Sequence, residues 1–313
     1  MGIHILEPGA LTTVQDGGRT GYQAFGVPVS GVTDPRSAAC ANLLLGNEEG
    51  EAVLEMTLLG PKILFGLPNV IAIAGGDFFP TLDGKPVPRY QAVAVRAGQV
   101  LHFAMAASGC RAYLAFAGGL RVPLVMGSRS TYLRGGIGGW YGRALQKHDE
   151  ILFRHPLPVL PDMEQRRLTP EHFLKESTVR VVLGPQADRF TKRGIQTFLS
   201  ECYTVAPDSD RMGCRLRGPV IEAVGDSNIL SDGISFGAIQ VPANGQLIVL
   251  LSDRQTTGGY PKIANVITAD LPLIAQKKAG DAVRFQAVSV EEAQECYRKE
   301  REWYRSLRVS HQI

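Results

Sequence analysis

The sequence is short of cysteine, of aromatic residues and of net charge, and these shortages exclude several classes of protein. Five cysteines occur in 313 residues and none belongs to a C-x-x-C pair, so neither a disulfide framework nor a cysteine-rich metal site is expected. The six histidines are scattered, and no metal site is predicted from them. A formal net charge of +3, without a long basic run, gives no electrostatic basis for binding nucleic acid.

Long apolar runs are also missing. No stretch approaches the roughly 18 apolar residues that a membrane helix needs. No basic and apolar signal segment with a small-residue cleavage site opens the chain, and Leu6 stands where a myristoylation motif requires Ser or Thr. We therefore expect a cytoplasmic protein that makes no contact with a membrane.

The common catalytic motifs are absent as well. The sequence contains no G-x-x-x-x-G-K-[ST] loop, no H-E-x-x-H motif and no G-x-S-x-G elbow. A standard P-loop ATP site and the commonest zinc and serine hydrolase sites are thereby excluded.

What the chain does have is many short apolar runs separated by glycine and proline, of which there are 35 and 19. In the first half, β-favouring runs recur at roughly 8–12-residue spacing, which predicts a mainly β sandwich or barrel. We predict a first β unit at residues 1–155, a proline-rich linker at 156–177, a second β unit at 178–288 and a C-terminal helical extension at 289–313.

Four helix starts and one hairpin are predicted locally. Asp34 and Pro35 predict a helix over 35–46, and a second helix is expected over 191–199. The carboxylate of Asp270 is expected to cap a third helix, and Ser289-Val-Glu-Glu292 is a capping box for a terminal helix to about residue 307. Asp83-Gly84 predicts a hairpin turn.

The chemically richest stretch is Ser252–Ile267, which lies between two apolar runs. It combines a carboxylate, Asp253, with two cations, Arg254 and Lys262. Its other polar or flexible residues are Gln255, Thr256, Thr257, Gly258, Gly259 and Tyr260. A plain turn between core strands remains an alternative, but this variety of polar groups is typical of a ligand site on a β scaffold.

Smaller polar loops elsewhere supply further candidates. One tight turn holds Gln15, Asp16 and Arg19, where a surface ion pair is the alternative interpretation. Ser30 and Asp34 precede a helix N-terminus that would favour an anion, although a simple helix cap also explains Asp34. The remaining candidates of this kind are Arg129, Asp210, Arg211, Ser231 and Asp232.

Taken together, these motifs resemble one family. The segments are Thr13–Arg19, Gly26–Asp34, Gly127–Thr131, Gly142–Leu145, Ser209–Gly213 and Ser252–Ile267. From about residue 3 to residue 287 the chain is similar to the family of the 5-oxoprolinase C subunit, also called the biotin-dependent carboxyltransferase or allophanate hydrolase subunit 2 family. Its relatives include an antagonist of a sporulation-kinase inhibitor and the carboxyltransferase part of urea carboxylase. The chain departs from the family pattern at Thr33, Cys214 and Asp232.

The resemblance implies two cyclophilin-like β-barrel units and a role beside the A and B subunits in the ATP-dependent opening of 5-oxoproline to glutamate. ATP, with magnesium possible, would be shared with those partners, and the Met-Lys-Met attachment signature of covalent biotin is absent. Asp253, Lys262 and Asp16 are the predicted catalytic groups, with Arg254 and Lys262 as anion clamps. The other candidates are predicted to bind substrate.

Two other functions stay open at this point. The chain could be the carboxyltransferase component of a urea carboxylase-like system, with biotin arriving on another protein. It could also be a regulator without catalysis of its own, binding a partner that resembles a kinase inhibitor.

Overall fold

A computed structural model describes residues 2–169, 177–225 and 228–310, which fall into two compact units. The first unit comprises Met1–Arg19, Ser30–Leu174 and Glu302–Ile313, and the second comprises Thr20–Val29 and Lys175–Arg301. The predicted linker and C-terminal extension both run partly outside the described residues. The sequence-based domain boundaries remain a prediction.

In the described chain, the first unit contains strands β1 to β11, arranged as two sheets. In chain order they are β1 (Gly2–Glu7), β2 (Leu11–Gln15), β3 (Val53–Thr57), β4 (Lys62–Phe65), β5 (Asn69–Asp77), β6 (Thr81–Leu82), β7 (Lys85–Pro86), β8 (Ala92–Val95), β9 (Val100–His102), β10 (Ser108–Phe116) and β11 (Glu150–Leu152). One sheet has the order β11-β1-β4-β9-β6-β7 and the other has the order β2-β3-β10-β5-β8. The predicted Asp83-Gly84 turn joins β6 to β7, with both residues at positive φ.

The core of the first unit explains the continuous apolar run of β5. Ile71 and Ile73 pack into a core to which both sheets contribute. Val70 and Ala72 project to the opposite face, where they pack with residues of helix α1 (Pro35–Leu44). Both faces of this strand are buried, so the alternation of polar and apolar residues that marks a half-exposed strand is lost.

Helix α1 begins as the sequence predicts. The Asp34 carboxylate accepts a hydrogen bond from the Ser37 backbone N–H at 3.0 Å, and Pro35 is the first helical residue. Gly46 follows the helix at a φ of 71°, a conformation that favours glycine. The predicted helix is confirmed, and it covers the outer face of the sheet that contains β5.

In the described chain, the second unit is built on a closed barrel of seven strands. The strands of this unit, which include two outside the barrel, are in chain order β12 (Thr178–Leu183), β13 (Tyr203–Val205), β14 (Gly213–Arg217), β15 (Asp232–Gly233), β16 (Ala238–Gln240), β17 (Leu247–Leu250), β18 (Thr257–Gly258), β19 (Lys262–Val266) and β20 (Ala282–Ala287). The barrel order is β12-β19-β16-β17-β14-β13-β20, and β15 pairs separately with β18. The resemblance implies a β-barrel in each unit. Seven strands of the second unit close into a barrel, whereas the described strands of the first unit form two sheets.

Helices α2 (Lys192–Ser200) and α3 (Leu271–Ala275) differ in how they start. The Thr191 hydroxyl accepts from the Gly194 N–H at 2.9 Å, which is a side-chain cap. The prediction that the Asp270 carboxylate caps α3 is wrong. Its two oxygens instead accept from Arg180, at 2.6 Å from Nη2 and 3.0 Å from Nε, because a charged guanidinium is a stronger donor than a backbone amide.

The terminal helix α4 (Val290–Ser310) begins at the predicted capping box. The Ser289 N–H donates to the Glu292 carboxylate at 2.8 Å, and the Glu292 N–H donates to the Ser289 hydroxyl at 3.1 Å. Near its end, Tyr304 and Leu307 form a buried cluster with Ala39 and Leu43 of α1. The prediction of a mainly β chain with short helices and a C-terminal helix is therefore confirmed.

Candidate functional site

The stretch Ser252–Ile267 joins two strands of the barrel that are not neighbours. It leaves β17, forms the short strand β18 and re-enters the barrel as β19, while β16 lies between β17 and β19. Three of its charged residues, Asp253, Arg254 and Lys262, are buried. Buried charges need partners, so the contacts of these three decide what the loop can do.

Asp253 is committed to an ion pair with Arg211. Arg211 Nε lies 2.9 Å from Asp253 Oδ2, and Nη2 lies 3.1 Å from Oδ1. The two side chains are only 7% and 5% exposed, and the Asp253 N–H also donates to the Arg211 carbonyl at 2.8 Å. Two residues that the sequence nominated separately are thus brought together, and both carboxylate oxygens are occupied.

Arg254 is a buried cation supported by neutral groups. Its Nε donates to the Ile234 carbonyl at 3.1 Å and its Nη1 donates to the Leu251 carbonyl at 3.2 Å. The guanidinium carbon also lies 5.4 Å from the centre of the Phe236 ring. Burial lowers the pKa of Arg254 to about 10, which leaves the guanidinium charged at neutral pH. Its positive charge adds to the local field of the loop.

Lys262 is buried but its partner is not. Its Nζ lies 2.7 Å from Asp232 Oδ2 and 3.2 Å from the Gly233 carbonyl. The Lys262 side chain is 6% exposed, whereas that of Asp232 is 54% exposed. The hydrogen bond from Lys262, together with the Gly233 N–H, lowers the pKa of Asp232. The ammonium is fixed in place, and the carboxylate facing it stands at the surface.

Asp232 belongs to a two-stranded ribbon formed by β15 and β18. Asp232 pairs with Gly258, and Gly233 pairs with Thr257. Backbone hydrogen bonds extend the ribbon at both ends, from Ile234 to Thr256 at 3.0 Å and from Ile229 to Gly259 at 2.9 Å. The predicted candidates on or beside this ribbon are Ser231, Asp232, Gln255, Thr256, Thr257, Gly258, Gly259 and Tyr260.

A cleft of about 620 Å³ opens beside the ribbon, within the second unit. Val182, Leu183 and Ile234 contribute apolar walls, and Asp232 and Lys262 contribute charge. A concave surface with apolar walls and a few fixed polar groups is typical of small-molecule sites. Of the nominated residues, Asp232, Thr256, Thr257 and Lys262 line it directly.

In the first unit, Asp16 is held by a full set of donors. Its carboxylate accepts from the Ser128 hydroxyl at 2.6 Å, the Ser130 hydroxyl at 2.5 Å, the Arg129 N–H at 2.5 Å and the Gly18 N–H at 2.9 Å. The residue is 7% exposed. This arrangement fixes residues 128–130 against the turn.

The other candidates of that turn bond to backbone carbonyls. Gln15 donates to Thr131 at 3.1 Å. Arg19, which is fully buried, donates to Val125 at 3.0 Å and to Ser130 at 2.8 Å, and Arg129 donates to Val122 at 3.0 Å. The structure thus brings Gln15, Asp16, Arg19 and Arg129 together in one buried network of the first unit.

Asp34 takes part in a helix cap and in a buried hydrogen-bond network. Besides the backbone bond, its carboxylate accepts from the Ser37 hydroxyl at 2.6 Å, and its own N–H donates to the Tyr113 hydroxyl at 2.8 Å. Tyr113 donates in turn to Glu55 at 2.9 Å, and burial raises the pKa of this tyrosine. Ser30 is buried at a φ of 56°, and its hydroxyl has no hydrogen-bond partner among the described residues.

Asp210 closes a local turn: its Oδ1 accepts from the Met212 N–H at 2.8 Å and the Gly213 N–H at 3.1 Å. This turn precedes β14 and sets the position of Arg211, which reaches Asp253. The contribution of Asp210 to the loop is therefore indirect.

One polar residue beside the loop, Gln240, is not among the candidates predicted from the sequence. Gln240 ends β16, is 2% exposed, and its Nε2 has no hydrogen-bond partner among the described residues. An amide within the apolar run Ala238–Val241 is the signal that could have identified it.

The sequence places this barrel and its loop in a known class of protein domain. Residues 25–287 match the family model described as "Carboxyltransferase domain, subdomain A and B", and the chain belongs to this family. Within it, the chain is 36% identical over 305 residues to the C subunit of 5-oxoprolinase from Escherichia coli, covering 97% of each chain. It is also 36% identical over 303 residues to the C subunit of 5-oxoprolinase from Haemophilus influenzae, covering 95% of this chain and 94% of that one.

A second group of relatives consists of much longer proteins. The urea amidolyase of Saccharomyces cerevisiae is 36% identical over 307 residues, which are 92% of this chain but 17% of that protein. The crystal structure of the urea amidolyase of Kluyveromyces lactis superposes on 98% of this chain with a TM-score of 0.90 at 31% identity, over 20% of its own length. This chain thus corresponds to about a fifth of those proteins.

A membrane-spanning helix and a metal site are both absent from the described residues. None of the helices in residues 2–169, 177–225 and 228–310 combines the length and apolar character that a bilayer crossing requires. Within the same ranges, no three His, Cys, Asp or Glu side chains are grouped so that they could hold a metal ion.

Proposed function

We propose that this chain is the C subunit of an ATP-dependent 5-oxoprolinase, which opens 5-oxo-L-proline to L-glutamate in a complex with its A and B subunits. The observation that carries the proposal is the match in extent: the chain is similar to two 5-oxoprolinase C subunits over 94% and 97% of their lengths, but to only 17% of a urea amidolyase. The cleft of the second unit supports it, because its size and the buried ammonium of Lys262 suit a small anionic substrate.

The reaction needs activation, since a lactam is a stable amide. Phosphorylation of the lactam oxygen by ATP makes the carbon electrophilic, and water then adds to that carbon. Loss of phosphate and cleavage of the ring C–N bond, with a proton going to nitrogen, give glutamate, ADP and phosphate. Such chemistry calls for positive charge where negative charge develops, and for a site that excludes bulk water.

In this proposal Lys262 is the residue that touches substrate charge, because its ammonium is buried at the cleft and is paired with the surface carboxylate of Asp232. Arg254 supports the wall at Ile234 and adds to the field. Asp253 acts as a positioning residue through Arg211, and Asp16 as a positioning residue for residues 128–130. The ribbon residues Thr256 and Thr257 bind substrate.

We infer that ATP binding is shared with the partner subunits, because this chain has no P-loop and its buried cations suit an anion of either kind, carboxylate or phosphate. Magnesium, which nucleotides bring with them, is held mainly by phosphate oxygens and needs few protein ligands. Biotin is not attached to this chain in the proposal.

The test is a reconstitution. The full chain is mixed with the A and B subunits of the complex, 5-oxoproline and ATP, and the glutamate and ADP formed are measured. Glutamate formation that requires this chain supports the proposal. An otherwise competent mixture that forms no glutamate overturns it, and co-purification with the B subunit tests the partnership separately.

A second candidate is a carboxyltransferase that takes the carboxyl group from biotin carried by another protein. The description of the matched family and the TM-score of 0.90 to a urea amidolyase favour it. Transfer of labelled carboxyl from a carboxybiotin carrier to urea, in a mixture that forms no glutamate, would favour this candidate over the first.

A further inference from the structure

An unsatisfied donor lies beneath the β15–β18 ribbon, at Gln240. This amide is 2% exposed, and its Nε2 has no hydrogen-bond partner among the described residues. A buried N–H without an acceptor destabilises the folded chain, and such groups in native proteins call for a specific explanation. An acceptor supplied by a ligand is the explanation that the surroundings of Gln240 support.

The ribbon covers this amide closely. A Cβ atom placed on Gly258 would lie 2.9 Å from Gln240 Nε2 and 2.8 Å from Ile234 Cδ1. Gly258 is paired with Asp232 in the ribbon, and Ile234 lines the cleft. A glycine at 258 therefore lets the ribbon approach the amide, and the amide lies next to the cleft wall.

The buried cation of the cleft stands directly across from Gln240. Lys262 of β19 is the register partner of Gln240 of β16, next to a β-bulge that separates this pair from Ile239 and Ala264. The Lys262 ammonium reaches the ribbon at Asp232 and Gly233. One neutral donor and one cationic donor thus lie beneath the same two-stranded element.

We propose that Gln240 Nε2 and Lys262 Nζ together bind one carboxylate of the substrate, so that Gln240 is a residue that determines specificity. This carboxylate is that of 5-oxoproline, an assignment that rests on the proposed function. A carboxylate offers two oxygens, one for the amide N–H and one for the ammonium.

Asp232 holds the place of that carboxylate in the structure. It touches Lys262 through one oxygen, and its side chain is 54% exposed, so it can turn into solvent when the substrate arrives. Gln186 Nε2, 3.3 Å from the same oxygen, is its other side-chain contact. The substrate carboxylate gains both Gln240 and Lys262 as donors, whereas Asp232 accepts from Lys262 but not from Gln240.

The test is Gln240→Met in the reconstituted complex. Methionine fills a similar volume without an N–H, so the KM for 5-oxoproline should rise at least tenfold while the KM for ATP stays unchanged. The unfolding temperature should hold or rise, because no hydrogen bond of the free chain is removed. An unchanged KM for 5-oxoproline, or an equal rise in both KM values, overturns the proposal.

Gln246→Met is the matched control. The Gln246 amide accepts from the Gly218 N–H and donates to the Gly218 carbonyl, both at 3.1 Å. Its removal should lower the unfolding temperature and leave the KM for 5-oxoproline unchanged. The two variants are therefore expected to show opposite patterns of stability and substrate affinity.

Calorimetry on the full chain separates this inference from the proposed function. 5-Oxoproline, its uncharged carboxamide and inorganic phosphate are titrated into the wild-type chain and into Gln240→Met. Binding of the acid alone, weakened at least tenfold in the variant, supports the subsite even where the complex forms no glutamate. Equal binding of acid and carboxamide, binding of phosphate only, or no binding overturns the carboxylate subsite.

Discussion

Two acid–base pairs of the second unit have the same chemistry but different surroundings. Arg211 and Asp253 are both nearly fully buried and meet through two hydrogen bonds. Lys262 and Asp232 meet through one side-chain contact, and only the lysine is buried. The first pair is closed to any ligand, whereas the second can open on its acidic side.

The two pairs lie at opposite ends of the loop and have different roles there. Asp253 follows the strand β17 closely and, through Arg211, fixes the start of the loop to the segment before β14. Lys262 opens β19 at the other end of the loop. The closed pair holds the loop in place so that the ammonium of the open pair stays at the cleft.

The largest expected effect comes from breaking the closed pair. Arg211→Ala leaves Asp253 buried without its cation, and the free energy of unfolding should fall by about 3–5 kcal/mol. Denaturant unfolding measures it. Arg215→Ala is the control, since its pair with Asp208 is 3.3 Å long and exposed, and about 1 kcal/mol or less is expected. Equal losses in the two variants would contradict the distinction.

Replacing Asp16, a carboxylate held by neutral donors, should lower the free energy of unfolding by an intermediate amount. Asp16→Asn sets an N–H₂ group against hydroxyl and backbone donors in the first unit, and about 2 kcal/mol of unfolding free energy should be lost. Thermal unfolding compares it with Asp208→Asn, an exposed position where a change within about 0.5 kcal/mol is expected. A stable Asp16→Asn chain would show that the network is not structural.

Removing the acid of the open pair should help the substrate. Asp232→Asn keeps the shape but loses the charge that competes for Lys262, so the KM for 5-oxoproline in the reconstituted complex should fall a few-fold. Asp188→Asn, an acid in the same unit, serves as the control and should leave the KM unchanged. A higher KM in Asp232→Asn would mean that this carboxylate itself binds substrate.

The smallest effect is on the pH dependence of stability. The pKa of Asp232 is lowered in the folded chain, so its contact with Lys262 stabilises above the unfolded pKa of about 4 and is lost as the pH falls through the lowered value. The difference in unfolding free energy between wild type and Asp232→Asn should be constant from about pH 8 to pH 5 and shrink below about pH 4. A difference that grows toward low pH would contradict the pairing.

Local features of the fold could be predicted from the sequence. The caps at Asp34 and Ser289 and the Asp83-Gly84 turn depend on residues within a few positions, and short-range hydrogen bonding decides them. Asp270 shows the limit of such rules. It has the sequence context of a cap, but Arg180 on another element takes its carboxylate.

The pairings of the candidate site could not be predicted, because they depend on strand order. Asp253 meets Arg211 across 42 residues, and Lys262 meets Asp232 across 30. All four residues are candidates predicted from the sequence. Which acid pairs with which base depends on the strand order of the barrel. The apolar run around Gln240 marks it as a buried amide, but its neighbour Lys262 is known only from the strand pairing.

Lys262→Met in the reconstituted complex is the most direct test of the role of this buried ammonium. Methionine preserves the buried stem and removes the charge, and Asp232 stays solvated, so the chain should remain folded. The rate of glutamate formation is measured at several concentrations of 5-oxoproline, and kcat/KM should fall about 100-fold or more. A folded Lys262→Met chain that supports glutamate formation at the wild-type rate would contradict the central claim that this buried ammonium acts on the substrate.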